Sequence, residues 1–280
     1  MSPKKDHSGA DDDWLDDIES QPRPKAAAKK PLQGRASVLG HDEGNATVVE
    51  LFPNQSAARL DGAMAPVLCG YRMETLASRG ATRERSPVCV GDRVKVEAGV
   101  IVSRCARRNS LARSAPNARN PLIHVIVANI DLLVVVAAVR DPEFSAGIVD
   151  RFLAAALAQE IPAALCVNKT DLLAPDAPRP WQAFASESVP VLECAALSGA
   201  GLQELKAITR GKTVAFCGHS GVGKTSLLRR LLGDESYGRV GAIGATSGKG
   251  RHTTSSAVLI PGPEASALID TPGIMNFTAV

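Results

Sequence analysis

Thr213-Val214-Ala215-Phe216-Cys217-Gly218-His219-Ser220-Gly221-Val222-Gly223-Lys224-Thr225-Ser226 is the stretch of this 280-residue chain whose reading decides the fold. Its first five residues form an apolar run of strand type, the next eight fit G-x-x-x-x-G-K-[ST], and residues 225–232 continue at helical spacing. Strand, glycine-rich turn and helix in that order form the setting that a phosphate-cradling loop requires. The glycines let backbone N–H groups curl around an anion at a helix N-terminus, Lys224 reaches the β and γ phosphates, and the Thr225 hydroxyl offers Mg²⁺ a hard oxygen. His219, Ser220, Val222 and Ser226 complete the set expected around the phosphates.

Outward from this loop the pattern is one of alternating strands and helices. Residues 131–139, 162–167, 189–194, 213–217, 256–260 and 266–269 read as strands. Ile148, Val149, Phe152, Leu153, Ala156 and Leu157 recur at helical spacing, and residues 202–208 and 225–232 give two more helices. Such alternation predicts an α/β domain over 121–280 with a mainly parallel sheet.

Two further strand ends carry chemistry. Asn168-Lys169-Thr170-Asp171 follows the strand at 162–167. A carboxylate only accepts hydrogen bonds, so Asp171 suits the N1–H and 2-amino group of guanine, which adenine cannot supply. Asn168 is expected to brace the loop and meet the base edge, with the stem of Lys169 over the ring. Asp270-Thr271-Pro272-Gly273 ends the last strand. Asp270 is placed to hold Mg²⁺ through water, and the Gly273 N–H to face a γ phosphate. Between the phosphate loop and Asp270 lies Gly250-Arg251-His252-Thr253-Thr254, where Thr253 or Thr254 would complete the Mg²⁺ shell. Position 274 is Ile, which cannot orient water, so His252 is the nearby catalytic candidate beside Lys224. Together these motifs predict GTP or GDP with Mg²⁺ as the bound species.

The front of the chain differs. Residues 1–33 combine acidic residues with a Pro, Ala and Lys tract and read as a disordered tail. From 34 to 115, short apolar runs at 36–39, 46–51, 67–69, 87–90, 94–96 and 100–102 suggest a closed β-barrel of OB type. Residues 34–120 carry thirteen Lys and Arg, twelve of them Arg, against eight Asp and Glu, whereas 121–280 carry thirteen against fourteen. Arg suits phosphate, so the barrel is expected to bind RNA, with a solvated basic face as the plainer alternative. Residues 104–120, with Arg104, Arg107, Arg108, Arg113 and Arg119, read as an exposed basic loop. The six cysteines are dispersed without a C-x-x-C pair, so no zinc site is legible. The longest apolar run, at 132–139, is far short of the roughly 20 residues that span a bilayer. A cytoplasmic location is the expectation.

The order of the motifs is permuted: N-K-x-D and then Cys194-Ala195-Ala196-Leu197 precede the phosphate loop, and D-x-x-G comes last. With Val90-Gly91-Asp92-Arg93-Val94, with the run from Arg107-Arg108-Asn109 to Arg113, and with Ala128-Asn129-Ile130-Asp131, this arrangement resembles the ribosome small-subunit-dependent GTPases, the RsgA family. The resemblance implies an OB barrel before a circularly permuted GTPase domain. It also implies GTP hydrolysis stimulated by the small ribosomal subunit, contact with its rRNA, a role in late subunit maturation, and help in hydrolysis from His252; a monomer is the separate expectation for the chain's own state. Ala195 stands where the family usually has Ser in its base-contacting S-A-K segment, with Ala196 next. The family's helical C-terminal domain and its Cys and His zinc site have no counterpart here, so the chain reads as truncated after D-x-x-G. The rival expectation is a GTP-gated RNA-binding protein, or a fragment with little hydrolysis.

Overall fold

The computed structural model describes residues 39–72, 86–114, 123–238 and 257–271. Five strands make the front domain: β1 (Ala46–Phe52), β2 (Gln55–Leu60), β3 (Val67–Tyr71), β4 (Arg93–Glu97) and β5 (Val100–Arg104). They pair in the order β1-β2-β3-β5-β4, with β4 returning to β1, so the sheet closes on itself. Closure removes the exposed edges that a sheet of this length would otherwise leave. The β3–β5 pair is parallel and the others antiparallel. Its interior is filled by Ala46, Val48, Ala58, Cys69, Val94, Val96 and Ile101.

The strand expected at 87–90 is absent: Val88, Cys89 and Val90 are buried, yet Val90 makes only a single bridge, to Val127. The barrel's remaining strand is instead β2, whose sequence QSAARL gives little strand signal. It belongs because a small barrel interior takes small side chains, and Ala57 and Ala58 are fully buried. Of the run at 36–39 only Leu39 lies among the described residues, where it bridges Cys105.

Residues 104–114 correct the expected basic loop. After β5 the chain enters β6 (Ser110–Ser114), which pairs antiparallel with β7 (Ile123–Ala128). Leu111 and Val127 of this hairpin are buried in the same cluster as Val49 and Val90 from the barrel.

Six strands then form the second domain: β8 (Leu132–Ala138), β9 (Ala163–Asn168), β10 (Val191–Glu193), β11 (Thr213–Cys217), β12 (Val258–Pro261) and β13 (Ala267–Asp270). Their order is β10-β9-β8-β11-β13-β12, parallel except for β12. β8 lies centrally and all seven residues are buried, because both faces are covered. Leu133, Val135 and Ala137 face α1 (Ala146–Ala158) through Val149 and Phe152. Leu132, Val134, Val136 and Ala138 face the side of α2 (Leu202–Thr209) and α3 (Lys224–Leu232), which contribute Leu205, Leu227, Leu228 and Leu231. Truncating an anchor such as Phe152 to Ala is worth about 3–5 kcal/mol.

The two domains share a sheet. β1 carries a bulge between Val48 and Glu50, beyond which Glu50 pairs with Val258 of β12. The bulge turns Val49 away from the barrel interior and into the core beneath the second sheet.

Candidate nucleotide site

The phosphate loop follows β11 and opens α3. Gly218, Gly221 and Gly223 all have positive φ, at 149°, 85° and 94°. A Cβ on Gly218 would lie 2.2 Å from the Val136 carbonyl oxygen, and one on Gly223 2.2 Å from Asn168 Nδ2. Glycine here is thus required by close approach as well as by φ. Lys224 folds back over the loop, its Nζ donating to the carbonyls of Gly218 at 2.8 Å and His219 at 3.1 Å. Thr225 and Ser226 follow in the first turn of α3, both half-buried.

Asn168, at the end of β9, is the hub. Its Nδ2 donates to the Val222 carbonyl at 3.0 Å, and its Oδ1 accepts from Ala196 N–H at 3.1 Å. The bracing expected from sequence is therefore present, and it uses one of the two Nδ2 hydrogens and one of the two Oδ1 lone pairs of the amide. Lys169 adopts φ 65° and its Nζ donates to the Asp141 carbonyl in the loop after β8. The Thr170 hydroxyl donates to the Cys194 carbonyl at 3.0 Å, which ties the N-K-x-D turn to the segment at 195–197. Asp171 is left exposed, and Ala195 is buried with its N–H on the Ala200 carbonyl.

Asp270 ends β13 and is 4% exposed. Burial pushes its carboxyl above the ordinary range, opposed by a hydrogen bond from Tyr237 and by the nearby Lys224 charge. Burial likewise pulls the Lys224 ammonium below its usual value, opposed mainly by Asp270. Each buried charge thus loses more by desolvation than its partner restores, a deficit that an anion beside Lys224 and a cation beside Asp270 would offset. Mg²⁺ takes hard oxygen ligands and keeps several waters, so the Thr225 hydroxyl and the Asp270 carboxylate fit it. Among the described residues no cluster of three His, Cys, Asp or Glu side chains converges on a metal. The Thr271 hydroxyl anchors the strand end by donating to the Phe216 carbonyl at 2.7 Å. His252, Thr253, Thr254 and Gly273 lie outside the described residues.

Three contacts were not legible in the motifs: Tyr237 Oη donating to Asp270 Oδ2 at 3.0 Å, the Asp141 carbonyl beneath Lys169, and Arg230 on the 195–197 segment. An apolar pocket lies beside the phosphate loop, lined by Val136, Ala138, Pro142, Glu143, Ser145 and His219 among others. It opens where the strand order reverses between β8 and β11, the usual ligand crevice of such sheets.

Among the described residues, several basic side chains of the front domain are engaged within the fold. Arg107 donates to both oxygens of the fully buried Asp92, at 2.7 and 2.9 Å. Arg108 reaches Asp131, Arg93 clasps Asp61, and Arg104 donates to the Pro87 carbonyl.

Known proteins resemble this arrangement. A family model described as RsgA GTPase matches residues 104–280. A small ribosomal subunit biogenesis GTPase RsgA from Azotobacter vinelandii is 36% identical over 279 residues, covering 95% of this chain and 77% of that protein. One of the same name from Marinobacter nauticus is 39% identical over 198 residues, 67% of this chain. The chain spans 55% and 66% of the length of the Marinobacter nauticus and Porphyromonas gingivalis relatives. The crystal structure of YjeQ from Thermotoga maritima superposes with a TM-score of 0.59 at 28% identity, covering 81% of this chain and 74% of that one. The fold is also that of YloQ, a circularly permuted GTPase, with a TM-score of 0.54 at 22% identity over 84% of this chain and 74% of that one. The permuted motif order, the closed barrel in front and these likenesses agree, and the chain belongs to the RsgA GTPase family.

Proposed function

We propose that this protein is a GTP hydrolase that binds the small ribosomal subunit, contacts its rRNA and assists its late maturation, cycling between GTP and GDP in the cytoplasm as a monomer. The observation that carries the nucleotide reading is the pair of hydrogen bonds made by Asn168, which joins the phosphate loop at Val222 to the segment at Ala196. The ribosomal reading rests on the relatives, which are small ribosomal subunit biogenesis GTPases by name.

In this reading the backbone N–H groups of residues 219–224 bind the β phosphate, and Lys224 turns from the Gly218 and His219 carbonyls to the β and γ oxygens. Water attacks the γ phosphorus, the bond to the β,γ-bridging oxygen breaks, and GDP and phosphate leave. Mg²⁺, when bound, neutralises charge developing on the phosphates. Thr225 and Asp270 would hold it, with Thr253 or Thr254 as the further oxygen. His252 is the proposed water-orienting group.

Turnover of GTP, measured with and without purified small subunits, tests the enzyme reading. Subunits should raise the rate many-fold, and Lys224→Ala and His252→Ala should suppress it; no stimulation would rule the subunit out as activator. Base recognition is tested separately by Asp171→Asn. An amide can donate to the 2-oxo group of xanthine, so the variant should exchange preference from guanine to xanthine nucleotides. Unchanged guanine preference would remove Asp171 from the site.

A further inference from the structure

We propose that Arg230 is a positioning residue for guanine recognition: carried on the helix that follows the phosphate loop, its guanidinium fixes the backbone of Ala196 and Leu197 and so sets which way the base loop presents its N–H groups. The inference rests on the guanine reading given above.

The loop also folds on itself through the Ala195 carbonyl, which accepts from Gly199 N–H at 2.8 Å and from the Ser198 hydroxyl at 3.5 Å, but neither bond holds the carbonyls of 196 and 197. Ala195 offers only a methyl group, and the Leu197 side chain is 76% exposed. On the inner side Ala196 N–H is held by Asn168 and Ala195 N–H by the Ala200 carbonyl. On the outer side Arg230 Nε donates to the Ala196 carbonyl at 2.9 Å and Nη2 to the Leu197 carbonyl at 2.8 Å. The third nitrogen, Nη1, lies 3.2 Å from Glu235 Oε1, just past the glycine that caps α3. Such a planar fork holds two successive carbonyls with less loss of side-chain freedom than a flexible ammonium would.

The consequence for specificity follows from peptide geometry. In a planar trans peptide the C=O and the N–H point in opposite directions. With the carbonyls of 196 and 197 drawn toward α3, the N–H groups of Leu197 and Ser198 are turned to the other side. If either peptide rotated, an acceptor would replace a donor. Guanine carries an oxygen at position 6, which needs a donor; adenine carries an amino group there, which needs an acceptor. Arg230 therefore holds the loop in the sense that suits a 6-oxo purine. Because α3 begins at Lys224, the same contact ties the base end of the site to its phosphate end.

The test uses the full chain with Arg230→Met, which keeps the apolar stem and removes the donors, and Arg230→Lys, which restores one. Dissociation constants are measured for GDP and for 2-aminopurine ribonucleoside diphosphate, which lacks O6, and unfolding of the nucleotide-free protein is followed by heat. Arg230→Met should weaken GDP about tenfold, while the analogue changes by less than about threefold, and Arg230→Lys should recover part of the loss. Equal weakening of both ligands, or GDP binding at the wild-type level, overturns the proposal. Equal weakening with a lowered unfolding temperature would make Arg230 a purely structural contact. A wild-type protein that does not prefer guanine would instead overturn the guanine reading itself.

Discussion

Asn129 joins the front barrel to the nucleotide-binding domain: its Nδ2 donates to the Gly91 carbonyl at 2.9 Å, and its Oδ1 accepts from Arg108 N–H at 2.9 Å. Around it, Asn109 exchanges two bonds with Ile130, and Asp131 Oδ2 accepts from Thr213 N–H at the start of β11. The family-like runs at 90–94, 107–113 and 128–131 are therefore one hydrogen-bonded junction between the domains.

Removing the Asn129 amide leaves the Gly91 carbonyl and the Arg108 N–H without that partner. Asn129→Ala is expected to cost about 2–4 kcal/mol, read as a shift of the urea midpoint. Gly91→Ala should cost at least as much, since φ is 88° and the added Cβ would lie 2.1 Å from the Ala128 carbonyl oxygen. A loss below about 0.5 kcal/mol for either would mean that the junction adjusts freely.

Arg107 makes the next case. Asp92 has no exposed surface, and besides Arg107 it accepts from Cys89 N–H at 2.7 Å. Arg107→Met strands a buried carboxylate and should destabilise by about 3–5 kcal/mol, whereas Arg107→Met with Asp92→Asn should recover much of that. A double-mutant cycle on thermal unfolding checks it. Additive losses would show that the two side chains do not act as a pair.

The second domain was legible because buried parallel strands announce themselves. All six expected strands fall within a few residues of β8 to β13, and β11 coincides with its apolar run. The front was harder to read. β2 fills its share of the barrel with alanines, which carry almost no strand signal, and β6 alternates Leu111 with Arg113 in a stretch whose charge suggested a loop. The run at 87–90 is apolar because its side chains are buried, but the Asp92 carboxylate takes the Cys89 N–H that a ladder would use. Composition counts arginines without showing their partners, and the carboxylates that Arg93, Arg107 and Arg108 meet become visible only in the fold. In the site, the phosphate loop and N-K-x-D stood out in the sequence because each follows an apolar strand run. Arg230 was not, because an Arg in the last turn of a helix is ordinary and only the fold brings it to residues 196 and 197.

Gly223→Ala tests whether the two halves of the nucleotide site are mechanically linked. The substitution lies at the phosphate end, yet the new Cβ would meet Asn168 Nδ2, the side chain that braces the base loop. With φ at 94° strain adds to the clash. Affinity for GDP should fall by about 100-fold or more, and by calorimetry the loss should be matched for GTP. A variant that binds GDP normally would show that Asn168 has room to move and that its bridge is dispensable.

Glu50 gives the last prediction, and its sign can be worked out. It lies on β1 opposite Val258, which in turn lies opposite Asp270, so the seam between the domains leads straight to the nucleotide site. Burial raises its carboxyl from 4.5 to about 7. The folded state therefore holds a proton that the unfolded state has released between pH 4.5 and 7. Stability from this group is greatest in acid, declines as pH rises through that window, and is flat above it. At about 1.4 kcal/mol per unit the bound is about 3 kcal/mol, and the partial exposure of the side chain reduces it to roughly 1–2 kcal/mol. Glu50→Gln mimics the protonated acid without titrating. It should match wild type in thermal unfolding near pH 5 and exceed it at pH 8, by roughly 3–6 °C for a gain of that size in a chain of this length. An equal shift at both pH values would mean that Glu50 ionises normally and that the seam is well solvated there.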